Sequence, residues 1–267
     1  MVPRRMTNPT PEEIRTYWDG KAARLWTDPS ATMKDVILRT MEIEAIANRL
    51  RAEDDLLDIG CGNAFESIEF AKRCRSVLAV DFSDRMVDAA RAAVSEGGQD
   101  NIEVAQGSAL EIGDRHRDRF TAVSSVRCLI NQASREDQYR AIDQFARALR
   151  PHGRLFLLEG VAEAFASMNA ARERVGLSPI KLDWHNRLLL REELEDHLSK
   201  EFIMLERVDF GDYYFLSRIV HPLLVAPEEP RFDARINEIA REIWRSGVAR
   251  GTFEDMSTLT LYVCGRK

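Results

Sequence analysis

The sequence has few of the features that mark secreted, membrane-bound or metal-binding proteins. Its 267 residues include four cysteines, at positions 61, 74, 128 and 264, without CxxC or Cys/His ligand spacing. We therefore expect free thiols, a reducing compartment and no bound metal. No apolar run follows the arginines of the first ten residues, and none elsewhere approaches membrane-spanning length. The protein is expected to be cytoplasmic, without a signal peptide and without contact to a membrane.

The chain also lacks a surplus of positive charge. Its 38 Lys and Arg residues face 44 Asp and Glu residues, which gives a formal net charge of −6 at pH 7. A protein that grips nucleic-acid phosphates needs a basic face, so nucleic acid is not an expected partner. With 45% hydrophobic residues, the composition is that of one globular enzyme domain, either a monomer or a homodimer.

Short apolar runs alternate with helical patterns through the middle of the chain. They predict buried strands over residues 56–59, 77–80, 102–104, 120–126 and 154–158. Ser134 and Asp137 have capping-box spacing before an apolar helical stripe, and Pro151 ends that helix. Repeated strand-helix-strand units predict a doubly wound α/β fold with a mostly parallel sheet.

Further elements flank this core. Residues 1–50 are predicted to form an N-terminal helical cap, in which Thr32 and Asp35 have capping-box spacing, and residues 51–267 the main domain. Residues 202–210 and 258–263 predict two more strands, and the Pro-Glu-Glu-Pro sequence 227–230 separates two short helices. Two insertions, about 161–189 and 211–255, leave the sheet at the edge where open α/β folds bind ligands. We expect both to form a lid over an acceptor site.

The segment DIGCG, residues 58–62, follows the first predicted strand and precedes a predicted helix. Glycines there let the backbone turn tightly and let a ligand approach it. Asp81 ends the next strand, where a carboxylate can accept both hydroxyl hydrogen bonds of an adenosine ribose. A pyrophosphate site would prefer a third glycine at the position that Phe65 occupies. The ligand is therefore predicted to be a nucleoside without a pyrophosphate.

Four segments resemble, in content and order, the motifs of class I S-adenosylmethionine-dependent methyltransferases. They are LLDIGCGNAFESIEFA, VLAVDFSDRMVDAAR, NIEVAQGSALEI and RALRPHGRLFLLEG, and they span roughly residues 53–160. The resemblance implies S-adenosylmethionine as the cofactor, S-adenosylhomocysteine as the product, and a seven-stranded Rossmann-like sheet with an antiparallel last strand.

The resemblance also implies which residues surround the methyl donor. They are Asp58, Gly60, Cys61, Gly62 and Asn63 in the first loop, Asp81, Phe82, Ser83 and Met86 after the second strand, Gly107, Ser108 and Ala109 after the third, Ser125 and Val126 at the end of the fourth, and Tyr17 and Trp18 as a cover. Many relatives carry Asp in place of Ser108. Simple helix packing is the alternative interpretation of Tyr17 and Trp18.

Two groups of residues compete as the acceptor site. His185 offers an imidazole base for a hydroxyl acceptor, and His221 is a second candidate base. Arg127, Tyr214 and Arg218 form a basic set that suits an anionic acceptor. Packing is the alternative for His185, and pairing with nearby acidic residues is the alternative for Arg218.

The chemistry itself requires little beyond alignment. Methyl transfer from a sulfonium is an in-line displacement, so the protein has to orient the reactants and exclude water. The sequence has no Asp-Pro-Pro-Tyr or Asn-Pro-Pro-Tyr after the fourth strand and no Pro-Cys pair, as resemblance to nucleic-acid base methylases would require. We predict O-methylation of a small molecule, with N- or C-methylation as the alternative. A nicotinamide-dependent oxidoreductase and a non-catalytic nucleoside-binding module are the alternatives from other classes.

Overall fold

The computed structural model describes residues 9–267 as one seven-stranded sheet flanked by helices. The strands are β1 (Asp55–Ile59), β2 (Ser76–Asp81), β3 (Ile102–Gln106), β4 (Phe120–Val126), β5 (Leu149–Gly160), β6 (Phe202–Asp209) and β7 (Leu259–Arg266). The helices are α1 (Pro11–Leu25), α2 (Val36–Ala47), α3 (Phe65–Ala71), α4 (Asp84–Gly97), α5 (Ile112–Arg115), α6 (Arg135–Ala148), α7 (Ala162–Arg174), α8 (Arg191–Glu201), α9 (Gly211–Phe215), α10 (His221–Val225) and α11 (Arg235–Ser246). The first eight residues, which bear on the predicted lack of a signal peptide and on the start of the predicted cap, lie outside the described residues.

The strand order across the sheet is β3-β2-β1-β4-β5-β7-β6. β1 to β5 pair in parallel, and β7 runs antiparallel to its neighbours β5 and β6. The predicted doubly wound, mostly parallel sheet with an antiparallel last strand is therefore confirmed. Because the strand order reverses between β1 and β4, a crevice is expected at their carboxyl ends, where such folds bind ligands.

Helices cover both faces of the sheet. Along β5, Leu155 and Leu157 belong to the core shared with α6, while Phe156 and Leu158 belong to the core shared with α2 and α3. Successive side chains of a strand point to opposite faces, so a strand covered on both sides is apolar at every position. This explains the continuous apolar runs in the sequence. No helix within residues 9–267 combines the length and the apolar character that crossing a membrane requires.

The start of α2 lies later than the capping-box spacing at Thr32 suggested. Asp35 caps the helix by accepting a hydrogen bond from the Leu38 backbone N–H at 3.1 Å. Residues Pro29–Ala31 instead form a short 3₁₀ turn. A Cβ atom placed on Gly62 would lie 2.9 Å from Thr32 Cγ2, so this segment lies close to the glycine loop.

The two insertions occupy different parts of the molecule. The first contains α7 and returns to the sheet, where the Leu189 N–H donates to the Gly160 carbonyl at 2.9 Å. The second contains α9, a π-helical turn (Leu216–Val220), α10 and α11, and it packs against α2 and the turn before β7. The proline-rich segment 227–230 separates α10 from α11, as predicted.

Candidate active site

A cavity of 530 Å³ lies at the carboxyl ends of β1, β2, β3 and β4. The loops after these strands form its floor and walls. Residues of the N-terminal cap and of segment 183–186 from the first insertion complete the lining. The cavity is thus at the predicted switch point of the sheet, and only the first of the two insertions reaches it.

The glycine loop after β1 presents bare backbone to this cavity. Gly60 and Gly62 have φ angles of +76° and +54°, which residues with a Cβ atom rarely adopt. A Cβ on Gly60 would also lie 2.8 Å from Cys128 Sγ. The loop is therefore built for glycine at both positions, and a ligand can approach its backbone closely.

Two buried carboxylates, Asp58 and Asp81, flank this loop and line the cavity. Asp58 accepts hydrogen bonds from the hydroxyls of Ser67 and Ser124 at 2.5 and 2.7 Å. Asp81 accepts one backbone N–H on each oxygen, from Gly62 and from the residue two positions after Asp81, both at 2.9 Å. Burial raises the pKa of each carboxyl to about 6. Both are mainly ionised at pH 7, and each oxygen of Asp81 keeps lone-pair capacity for a further donor.

Most residues that the resemblance assigned to the donor line the cavity. They are Tyr17, Trp18, Asp58, Gly60, Cys61, Gly62, Asp81, Phe82, Met86, Gly107, Ser108, Ala109 and Val126. The structure thus brings together residues from the cap and from four separate loops.

Three residues of that set, Asn63, Ser83 and Ser125, do not line the cavity, because their side chains hold the surrounding loops. Asn63 Nδ2 donates to the backbone carbonyls that follow α1, at 2.9 and 3.1 Å. Ser83 Oγ caps α4 and donates to Asp19 of α1 at 2.5 Å. Ser125 Oγ is 3.5 Å from Glu159 Oε1. Their prediction as donor contacts is corrected to a supporting role.

Arg127 lines the cavity, but carboxylates already pair with its charge. It adopts a left-handed backbone conformation with φ +53°. Its guanidinium bonds to Glu42 and lies 3.6 Å from Glu66, which also pairs with the fully buried Arg39 at 2.6 Å. This array balances two cations against two anions, and the anchoring of an anionic acceptor by Arg127 stays a prediction.

The other members of the predicted basic set lie away from the cavity. Arg218 pairs with Asp35, which also accepts a hydrogen bond from the Tyr213 hydroxyl at 2.7 Å. Tyr214 and His221 are buried in the second insertion and do not line the cavity. The insertion follows β6, which β5 and β7 separate from β4, so it covers α2 rather than the loops of the site. The expectation that it forms a lid is corrected accordingly.

His185 lies in an aromatic cluster at the cavity. Its ring centroid is 4.2 Å from that of Tyr17, 5.6 Å from that of Trp18 and 5.4 Å from that of Trp184. Burial lowers the pKa of the imidazole, while nearby Asp183 raises it less. His185 Nδ1 has no hydrogen-bond partner among the described residues. The ring is therefore mainly neutral at pH 7, and because Nδ1 is buried, Nε2 is the nitrogen that could accept a proton from a ligand.

Glu159, at the end of β5, was not singled out from the sequence. It is fully buried, and its carboxylate accepts the backbone N–H groups of Leu129 and Ile130 at 2.7 and 3.2 Å. Burial raises its pKa to about 8 although these N–H groups lower it. In the sequence, Glu159 could have been identified as the single acidic residue at the end of an apolar strand. Glu159 holds the turn that carries the cavity residues Ile130 and Asn131.

The N-terminal cap supplies further lining residues that the sequence did not identify. They are Pro11, Ile14, Arg15, Lys21, Ser30, Thr32, Met33 and Lys34. Among the described part of the chain, no three His, Cys, Asp or Glu side chains are arranged to hold a metal ion.

Comparisons with known proteins agree with this geometry. A family model described as a methyltransferase domain matches residues 56–153. The 27-O-demethylrifamycin SV methyltransferase of Amycolatopsis mediterranei (strain S699) is 32% identical over 187 residues, which are 64% of this chain and 66% of that enzyme. The chain thus spans slightly less than two thirds of that relative.

Two solved structures show the same fold at low sequence identity. The cyclase SpnF superposes with a TM-score of 0.64 at 18% identity, over 98% of both chains. A geranyl diphosphate methyltransferase, solved in complex with GPP and sinefungin, gives a TM-score of 0.55 at 17% identity, over 85% of this chain and 77% of its own.

Proposed function

The chain belongs to the class I S-adenosylmethionine-dependent methyltransferase family, and we propose that it methylates a hydroxyl oxygen of a small molecule. The observation that carries this proposal is the position of His185. Its neutral imidazole lines the same cavity as the glycine loop and Asp81. The proposed proton acceptor and the loop proposed to hold the nucleoside therefore line one cavity.

The loops after β1, β2 and β3 fit S-adenosylmethionine, which supplies an electrophilic methyl group when bound. Asp81 has acceptor capacity left on both carboxylate oxygens, as two ribose hydroxyls require. Phe82 and Met86 offer apolar surface for an adenine ring, and the bare backbone of Gly60 and Gly62 leaves room for the amino-acid portion.

Arg127 is not a free anchor for an anionic acceptor, although Arg15, Lys21 and Lys34 also line the cavity. Arg127 is neutralised by Glu42 and Glu66, so it has little charge left to attract a carboxylate or phosphate. A hydroxyl must lose a proton on methylation, and His185 can accept it. The name of the rifamycin relative also refers to an O-demethylated compound. This supports oxygen as the acceptor atom.

The test compares His185→Gln with His197→Gln. His197 lies outside the cavity lining and pairs with Asp143 at 2.8 Å, so it serves as the matched control. With a hydroxyl acceptor found by screening with a methyl-labelled donor, we expect kcat to fall by about 10²- to 10⁴-fold in His185→Gln. We expect His197→Gln to retain the wild-type rate.

Calorimetry with S-adenosylhomocysteine separates the two halves of the proposal. Both variants should bind it as the wild type does, because neither histidine belongs to the loops after β1 and β2. Wild-type turnover by His185→Gln would show that His185 is not the base. A wild-type protein that binds NAD but not S-adenosylhomocysteine would overturn the donor assignment.

A further inference from the structure

One buried amide joins the two loops that carry the acceptor half of the cavity. Gln138, near the start of α6, is 1% exposed. Its Nε2 atom donates to the backbone carbonyls of Leu129 at 3.0 Å and Arg187 at 2.8 Å. Leu129 belongs to the turn after β4, and Arg187 follows the His185 segment at the end of the first insertion. This side chain therefore bridges the two segments.

The contact between these segments is supported from the sheet side as well. The Arg187 N–H donates to the Ile130 carbonyl at 2.7 Å. Glu159, at the end of β5, accepts hydrogen bonds from the N–H groups of Leu129 and Ile130. The turn is thus fixed to β5 by Glu159 and to the first insertion by Gln138 and one backbone hydrogen bond. The Arg187 guanidinium adds a hydrogen bond to the Ala133 carbonyl, just after the turn, at 3.1 Å.

His185 depends on this support because its own ring has little to orient it. Nδ1 lacks a hydrogen-bond partner among the described residues, and the recorded ring contacts are with the aromatic side chains of Tyr17, Trp18 and Trp184. Aromatic contacts fix the position of a ring less strictly than a hydrogen bond does. A general base, however, must lie within hydrogen-bond reach of its substrate. The backbone two residues after His185 is where the Gln138 amide fixes the segment.

We propose that Gln138 is a positioning residue that holds His185 at the cavity by joining the turn after β4 to the end of the first insertion. This inference rests on the proposed role of His185 as the base. Gln138 does not line the cavity itself and acts through the Arg187 carbonyl. Replacing its amide with an apolar side chain leaves that carbonyl without this donor and lets the His185 segment move.

The test uses a control on the same helix. Gln144 of α6 is 3% exposed and also makes two hydrogen bonds, accepting from the Asp114 N–H at 3.0 Å and donating to the Asp114 carboxylate at 2.9 Å. Gln138→Leu and Gln144→Leu thus remove equivalent interactions near to and far from the cavity. Gln138→Asn is a milder second variant that keeps an amide but is too short to bridge both carbonyls.

The main measurement is the pH titration of the His185 ring by NMR, with its signal identified by its loss in His185→Gln. In the wild type, burial lowers the pKa of His185, Asp183 raises it by less, and Lys21 has the smallest effect, which lowers it again. We expect Gln138→Leu and Gln138→Asn to raise this pKa toward that of free histidine. We also expect kcat to fall by about tenfold to a hundredfold, with affinity for S-adenosylhomocysteine unchanged.

Gln144→Leu should leave both the His185 titration and kcat at wild-type values. A wild-type His185 titration in both Gln138 variants overturns the proposal, and so does an equal change in Gln144→Leu, which would indicate general loosening. Failure of the proposed function has a different signature. In that case His185→Gln retains full activity while the Gln138 variants still shift the His185 pKa.

Discussion

Arg127 shows how burial changes the role of a charged residue. A charge at the end of a core strand suggested a ligand contact, and the residue does lie at the cavity. Glu42, however, is fully buried and bonds to the guanidinium of Arg127. A buried carboxylate needs a nearby cation, since removing a charge from water is unfavourable by several kcal/mol. Arg127 satisfies that requirement, which leaves little of its charge for a ligand.

Arg127→Ala is therefore expected to act on stability more than on recognition. It leaves Glu42 buried without its direct partner, so the free energy of unfolding should fall by about 3–5 kcal/mol in urea denaturation. The control is Arg135→Ala, which breaks a surface pair with Glu193 at 2.7 Å and should change stability by less than about 1 kcal/mol. Equal small effects of both substitutions would show that the Arg127 guanidinium is available to a ligand.

At the scale of elements, the cover of the cavity comes from α1 and from segment 183–186. Trp18 of α1 donates from Nε1 to Asn131 at 3.3 Å and its ring packs against His185. The insertion after β6 instead lies against α2. Two segments that leave the same edge of the sheet thus end in different places, because β6 is the outermost strand.

This difference predicts a small effect of one aromatic substitution on kcat/KM and a large effect of another. Tyr214→Phe removes one hydroxyl from the second insertion, and kcat/KM should stay within about twofold of the wild-type value. Trp18→Ala removes a cavity wall and a ring contact of His185, so kcat/KM should fall by about tenfold or more. Steady-state kinetics on variants of verified fold provide the measurement. A large fall in kcat/KM for Tyr214→Phe would show that the second insertion contributes to the active site.

At the scale of the whole molecule, Glu159 links stability to pH. Its pKa is raised from the ordinary 4.5 to about 8, chiefly by burial, so the folded state holds a proton that the unfolded state has released. The contribution of protonated Glu159 to the stability of the folded state is fully present below pH 4.5 and is lost as pH rises toward 8. The free energy of unfolding falls by at most about 1.4 kcal/mol per pH unit from this one group.

Urea denaturation between pH 6.5 and 8 tests this contribution, because Asp58 and Asp81, with pKa values of about 6, have mostly titrated below that range. Comparison with Glu159→Gln cancels the effect of His185, whose pKa is lowered by burial. We expect the free energy of unfolding to fall with pH in the wild type and to fall less in Glu159→Gln. Parallel pH profiles for the two proteins would contradict protonation of Glu159 in the folded state.

The sheet was predictable because its signals are local. An apolar run bounded by turn residues defines a buried strand, and the seven predicted strands correspond to β1 to β7. The start of α2 was predicted less well, since the capping-box spacing of Thr32 and Asp35 suggested a start at Thr32, whereas Asp35 itself caps the helix. Local pattern therefore determines which elements exist better than it determines where they begin.

The sequence by itself determined the half of the cavity that the glycine loop and Asp81 form. The carboxyl ends of neighbouring parallel strands meet at one edge, so DIGCG after β1 and Asp81 after β2 had to lie together. Only the tertiary structure decided the other half, around His185 and Arg127. Three features depend on packing between side chains that are far apart in the sequence. They are the pairing of Arg127, the contact of Gln138 with Arg187, and the choice of the insertion that covers the site. Such contacts follow from the placement of helices and loops on the sheet, which no local pattern records.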